Sequence, residues 1–222
     1  FKQRTNKFFW EGLIMKRIIK RIINIVLIGL MPCIFLQAKE KENVSKALLI
    51  IAPENFRDEE YFEPKKAFEK LGVKTVTASI TKSYVKGMLG AKVKPDILLK
   101  DVKVREYDCI IFIGGIGAVK YFNHSIAHNI AKEAVKQNKI LGAICIAPVI
   151  LANAGVLNGK KATCYPTEKS SLRKKGAKYT GRDVEIDGNI ITANGPKSAT
   201  KFAKHLIIAW KNKHKKIKSQ KR

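Results

Sequence analysis

Cys145 stands in the heptapeptide Ala143-Ile144-Cys145-Ile146-Ala147-Pro148-Val149, where an apolar run gives way to a segment opened by proline. Residues 139–144 read as a buried strand, and Pro148 is placed to start a helix through Leu151 and Ala154. A thiol at that corner meets the positive end of a helix dipole and unpaired backbone N–H groups, which lower its pKa below the free value of about 8.5. Strand-turn-helix elbows hold nucleophiles in this way. The same residues also suit a cysteine that is only a small buried hydrophobe. Solvent access at residue 145 separates the two readings.

The elements around it alternate. Residues 46–52 form a continuous apolar strand ending at Pro53, 58–71 an amphipathic helix closed by Gly72, and 73–79 a second strand. Two glycines and short alternating segments over 85–99 suggest a small hairpin or excursion. A core strand at 109–113, a helix at 124–137 and the strand at 140–144 lead into the elbow. Beyond it come a short strand at 161–164, a hairpin of 184–186 and 189–193 turning at Asp187-Gly188, and a closing helix over 198–211 with Ser198 as its N-cap. Strands separated by crossover helices make a mostly parallel sheet covered on both faces. Sites in such sheets gather at the carboxyl ends of strands. Three segments meet there: 53–60, Gly114-Gly115-Ile116-Gly117, and Cys145.

Together, Glu60 on the first helix, the Gly114-Gly115 turn and the cysteine elbow resemble the ThiJ/PfpI superfamily. The similarity spans 46–210. It is supported by Phe56-Arg57-Asp58-Glu59-Glu60 ahead of Pro64, by residues 151–163, by Tyr165-Pro166, and by Asp187-Gly188-Asn189-Ile190-Ile191-Thr192 ahead of Gly195-Pro196. The resemblance implies an α/β, flavodoxin-like three-layer sandwich with a mostly parallel central sheet, usually dimeric. It also implies that Cys145 is the nucleophile, that Glu60 touches its sulfur, and that Gly115 and Ile146 supply backbone N–H groups to an oxyanion pocket. Gly114, Tyr165 and His124 are the expected lining. A partly buried carboxyl facing a thiolate should have a raised pKa and stay protonated. Without the resemblance, Glu60 reads as an ordinary exposed helix acid.

Two departures narrow the chemistry. Peptidases and heat-shock glyoxalases of the superfamily carry a histidine after the cysteine, where this chain has Ile146, and other members place a histidine where Tyr165 stands. A phenol is a poor general base at neutral pH, although it donates hydrogen bonds. Related amidotransferases need a late His and Glu, whereas this chain offers Gly195-Pro196-Lys197. A dinucleotide fingerprint needs its glycines after the first strand, and here they follow the third. His124 and His128, four apart, could bind metal or approach the site, but two surface histidines on a helix are the commoner case; His205 falls on the closing helix and His214 in the tail. No CxxC or His-Cys cluster has metal-ligand spacing, and no cofactor is expected.

The ends hold over half of the net charge of +26. Residues 1–46 contribute +7, residues 211–222 another +7, and the 164 residues between them +12. The excess is nearly all lysine and no RNA-binding motif or aromatic platform accompanies it, so specific nucleic-acid binding is not expected. Residues 211–222 read as a basic disordered tail. Met15 is followed by a basic cluster (Lys16, Arg17, Lys20, Arg21), an apolar run over 22–36 and a cleavage signature at Leu36-Gln37-Ala38, so 15–38 is expected to be a signal peptide or signal anchor. Export, or membrane contact through this segment alone, follows; the chain is cytoplasmic if the signal does not work. Pro32 ahead of Cys33 fits lipidation poorly. Trp10-Glu11-Gly12 back-translates to a purine-rich stretch like a ribosome-binding site, which makes 1–14 an expected non-native leader.

Two function classes fit a domain at 45–210. One is an enzyme in which Cys145 attacks small electrophiles such as dicarbonyls or their protein adducts, slowly for want of a histidine base. The other is a non-enzymatic stress protein whose Cys145 is oxidised to sulfinic acid, a redox sensor or chaperone. A PfpI-type cysteine peptidase ranks third. The expected partners are a small electrophile or a modified protein, and a second copy of the chain.

Overall fold

Runs of Ile, Leu, Val and Ala without polar alternation satisfy both of their faces only as inner strands. The computed structural model describes residues 45–220, so the expectations for 1–14, for 15–38 and for Cys33 fall outside the described residues. In chain order the elements are β1 (Lys46–Ile50), α1 (Asp58–Glu69), β2 (Lys74–Ser79), β3 (Val85–Lys86), β4 (Lys92–Val93), β5 (Ile97–Leu98), β6 (Cys109–Phe112) and α2 (Ser125–Lys136). There follow β7 (Ile140–Ile144), α3 (Pro148–Asn153), β8 (Lys161–Ala162), α4 (Lys169–Lys174), β9 (Lys178–Tyr179), β10 (Val184–Asp187), β11 (Ile190–Ala193) and α5 (Ala199–Gln220).

A seven-stranded sheet in the order β10-β11-β7-β6-β1-β2-β5 carries the fold. It is parallel except where β10 folds back on β11. Side chains alternate between two cores. Leu48 and Ile50 of β1 meet Ile130 of α2 and Ile150 of α3, while Ala47 and Leu49 meet Tyr61 and Phe68 of α1 and Phe202 and Leu206 of α5. Each fully buried Leu, Ile or Phe contributes about 1.5–3 kcal/mol, so helices on both faces hold the sheet. A Cβ on Gly142 would sit 3.0 Å from both Leu206 and Phe202; the glycine lets α5 lie close over β7. The result is the expected three-layer α/β sandwich.

Several details differ from expectation. The small hairpin expected over 85–99 is present as β3-β4, but the same stretch also holds a separate strand, β5, that extends the edge of the sheet. The segment at 161–164 does not join the main sheet: β8 pairs with β9 in a ladder of its own. Ser198 does not cap α5, because its hydroxyl donates to Asn194 Oδ1 at 2.7 Å and a 3₁₀ turn, Pro196–Ser198, leads into the helix. The basic segment expected to be disordered is helical through Gln220. Trp210 stacks on His214 with ring centroids 4.4 Å apart, the indole N–H donates to Ser45 Oγ at 2.9 Å, and Lys213 bonds the Asn138 carbonyl. Tertiary anchors carry the helix past Trp210, and cations suit its carboxyl end. No described helix is long and apolar enough to cross a membrane.

Candidate active site

Cys145 directly follows β7 with φ +63°, a left-handed conformation that costs a non-glycine residue about 1–3 kcal/mol and persists only when its surroundings enforce it. Two bonds enforce it here. The Cys145 N–H donates to the Ala193 carbonyl at 2.9 Å, and the Cys145 carbonyl accepts from the Tyr165 N–H at 2.7 Å. The corner is thus clamped between β11 and the segment after β8.

The glycine-rich turn after β6 is zipped to the loop after β1. Gly114 accepts from the Arg57 N–H at 3.0 Å, and the Gly117 N–H donates to the Asn55 carbonyl at 3.1 Å. Gly115 has φ +91°, and a Cβ there would lie 2.4 Å from the Arg57 nitrogen. At Gly114 the constraint is close approach: a Cβ would lie 2.6 Å from both the Cys145 Cβ and a Glu60 carboxyl oxygen. The missing side chain is what lets acid and thiol face one another.

Three acids open α1, each with a different fate. Asp58 is buried and accepts the Leu89 and Ala91 N–H groups at 2.9 Å each, tying down the β3-β4 hairpin. Glu59 holds the Arg57 guanidinium through two bonds of 2.8 and 2.9 Å. Glu60, with no exposure at all, is left for the thiol. Neither of its oxygens has a partner in full hydrogen-bond geometry, although the Cys145 thiol and the Gly114 N–H lie near enough to favour its anion. Burial outweighs them and pushes the carboxyl up to about 8.

Burial, with the charge of Glu60 behind it, also pushes the Cys145 thiol up, to about 12, against the pull of the Gly115 and Ile146 N–H groups. The expectation of a lowered thiol pKa is overturned. Helix α3 is only six residues long, so its dipole is small, and Cys145 is just 9% exposed. Among the three thiols of the described residues it is nevertheless the one with any opening, since Cys109 and Cys164 are fully enclosed. Acid and thiol resist carrying two negative charges together. They lose one proton near the shifted value of the carboxyl and share the other.

Tyr165, 43% exposed, stands beside the elbow with its ring 3.3 Å from where a Gly195 Cβ would be. Ile146 is half-buried, and Ile116, directly after Gly115, is exposed. His124 is not part of this lining. Its Nδ1 accepts from the Ala127 N–H to cap α2, its ring meets Tyr121 edge-on, and it borders a different cavity of about 330 Å³ with Ile80 and Leu99. His128 bonds the Phe122 carbonyl. Cys164, pushed up to about 12 by burial, precedes the residue that clamps the elbow, and Cys109 is a core side chain of β6. Sequence reasoning gave no role to Arg57 or Asp58. Arg57 is charge-coupled to Glu60 and Cys145, and its only sequence signal is its place at the mouth of an acidic helix start.

An elbow cysteine, a facing glutamate on the first helix and a glycine turn at the carboxyl ends of the inner strands are what the resemblance implied, and residues 45–209 match the profile of the DJ-1/PfpI family. The chain belongs to the DJ-1/PfpI family. An uncharacterised protein of Methanocaldococcus jannaschii is 42% identical over 200 residues, covering 88% of this chain and 97% of the relative. The glutathione-independent glyoxalase DJR-1.2 of Caenorhabditis elegans is 32% identical over 161 residues, covering 72% and 86%. Among solved structures, the ThiJ/PfpI domain protein of Brachyspira murdochii superposes with a TM-score of 0.74 at 35% identity, covering 75% of this chain and 96% of that one. Within a DJ-1/PfpI fold, β7 and α1 are the two elements that carry this pair.

Proposed function

We propose that the protein is a cysteine-dependent enzyme acting on small electrophiles, 2-oxoaldehydes such as methylglyoxal or their adducts on proteins, by glyoxalase- or deglycase-like hydrolytic chemistry. One observation carries the reading: a fully buried carboxyl pushed up to about 8 faces an elbow thiol toward which two main-chain N–H groups point. The glyoxalase of C. elegans, at 32% identity, points the same way.

The Cys145–Glu60 pair first gives one proton to solvent; with the shared proton on Glu60, the Cys145 thiolate adds to the aldehyde carbon. A C–S bond forms and the carbonyl electron pair moves to oxygen, where the Gly115 and Ile146 N–H groups hold it. Glu60 gives that oxygen its proton. The resulting carboxylate takes the hydrogen of the former aldehyde carbon as a proton and returns it to the neighbouring carbon, while the hydroxyl proton passes to the neighbouring oxygen, leaving the thioester of a 2-hydroxy acid. Water cleaves the thioester, releases the 2-hydroxycarboxylate and a proton, and restores the thiol. One carbon is oxidised as its neighbour is reduced, so no external oxidant is needed. With isoleucine at 146 and tyrosine at 165, no imidazole assists, and turnover should be about 10²–10⁴-fold below that of a site with such a base.

Lactate formation from methylglyoxal tests this. It should vanish in Cys145→Ser and fall by about 10²–10⁴-fold in Glu60→Gln. Undiminished lactate from Cys145→Ser would contradict it. A second reading, oxidation of Cys145 to a sulfinic acid in a sensor or chaperone, is favoured by one observation: among the described thiols only this one has an opening, and a protonated acid with two N–H groups suits a sulfinate. Under it, mild peroxide oxidises Cys145 selectively and native protein makes no lactate.

A further inference from the structure

After Asp187 the sequence contains no acid, while α5 alone carries seven lysines. Lys204, Lys211 and Lys215 recur at helical spacing on one exposed face, with Ile208, itself 42% exposed, among them. Six of the 18 acids of the chain lie within residues 54–69, on the loop and helix that build the thiol site, so the basic face is a local feature and not an even coat of lysine. The second half of α5 also runs to a definite place. Trp210 reaches Ser45 ahead of β1, and Lys213 reaches Asn138 ahead of β7, so the basic end lies at the amino-terminal edge of the sheet, opposite the carboxyl ends that hold Cys145.

A groove of about 310 Å³ opens beside it, lined by His205, Ile208, Lys213 and Lys216 of α5 and by Asn138 and Asn189. Cations, amides and an aliphatic side chain along one groove match a phosphate ester that carries an apolar group. Chain connectivity points the same way. Followed backwards from Ser45, the sequence crosses residues 37–44 and reaches the apolar run 22–36, preceded by Lys16, Arg17, Lys20 and Arg21.

We propose that the basic end of α5, with this groove, docks on an anionic phospholipid surface. The charge is of the right sign and clustered where the chain enters from an apolar, lysine-flanked segment, and juxtamembrane basic clusters of this kind recognise acidic headgroups. A nucleic-acid partner is disfavoured by the absence of any aromatic platform on the described part of this face. Docked this way, the protein keeps its thiol site turned away from the lipid.

Flotation of the full chain with vesicles tests the proposal, using phosphatidylcholine alone and phosphatidylcholine mixed with phosphatidylglycerol, at low and high salt. The native chain should bind the anionic vesicles about tenfold or more tightly than the neutral ones at low salt, and lose that preference as salt screens it. A variant combining Lys204→Gln, Lys211→Gln, Lys215→Gln and Lys216→Gln should lose the preference, while the corresponding arginine variant keeps it. Equal binding to both vesicles, or an undiminished preference in the glutamine variant, overturns the proposal. So does displacement by inorganic phosphate beyond that caused by chloride at equal ionic strength, which marks a free-anion site, or by duplex DNA, which marks a generic polyanion surface. Equal binding of the native chain to the two lipid compositions overturns the proposal even if the glutamine variant fails to fold.

Discussion

A carboxyl with no exposure and no full hydrogen bond is tolerable only when it is neutral or shares its charge, which is the state the chemistry at Glu60 requires. Gly114 makes that arrangement possible. Gly114→Ala should force the Cys145 Cβ and the Glu60 carboxyl apart, slowing alkylation of Cys145 at least tenfold and destabilising the fold by about 1–3 kcal/mol, the usual cost of overpacking. Alkylation kinetics with a urea titration check both, and native reactivity in the variant would contradict the packing. Residue type and order are enough to find Cys145 and the turn, because a thiol at a strand end and glycines at another are visible as letters, whereas Glu60 is singled out only by the family resemblance. The direction of the thiol pKa was not visible. It depends on burial, which depends on how closely the zipped loops and β11 crowd the elbow. Asp58 and Arg57 were invisible for a related reason: Asp58 acts on main-chain groups some thirty residues away, and no side-chain pattern records such partners.

Elements long enough to show a period were legible. The inner strands, α1, α2 and the β10-β11 hairpin all lie within a few residues of expectation, since continuous apolar runs and Asp187-Gly188 are strong local signals. Two-residue ladders such as β8-β9 and the six-residue α4 fall below that length. The extension of α5 was missed because composition alone favoured disorder, whereas Trp210 and Lys213 are held by residues from the far end of the sequence. One side chain, Asp58, holds the loop of the β3-β4 hairpin, beside main-chain bonds from the Asn55 N–H to the Lys86 carbonyl and from the Met88 N–H to the Phe56 carbonyl. Asp58→Ala should leave the Leu89 and Ala91 N–H groups unpaired, cost about 1–3 kcal/mol, and expose 87–91 to limited proteolysis. A hairpin as protease-resistant as the native one would show that other contacts suffice.

At the scale of the whole molecule, the buried acid links stability to pH. The Glu60 carboxyl titrates near 8 in the folded chain against 4.5 for the free group, so the native state holds a proton that the unfolded state releases across that window. Its stabilising effect is therefore complete below about pH 4.5 and is lost as pH rises through about 8, by on the order of a few kcal/mol. Thermal melts of native protein should show this decline, and Glu60→Gln should flatten it; parallel curves would place the proton elsewhere. The most direct test is the pH dependence of Cys145 alkylation by iodoacetamide, read at that residue by mass spectrometry in native protein and in Glu60→Gln. Native reactivity is expected to rise first near pH 8, as the pair gives up one proton, and again at more alkaline pH, whereas Glu60→Gln should keep a single rise without the step near 8. Superimposable profiles from the two proteins would contradict a proton shared between this carboxyl and this sulfur.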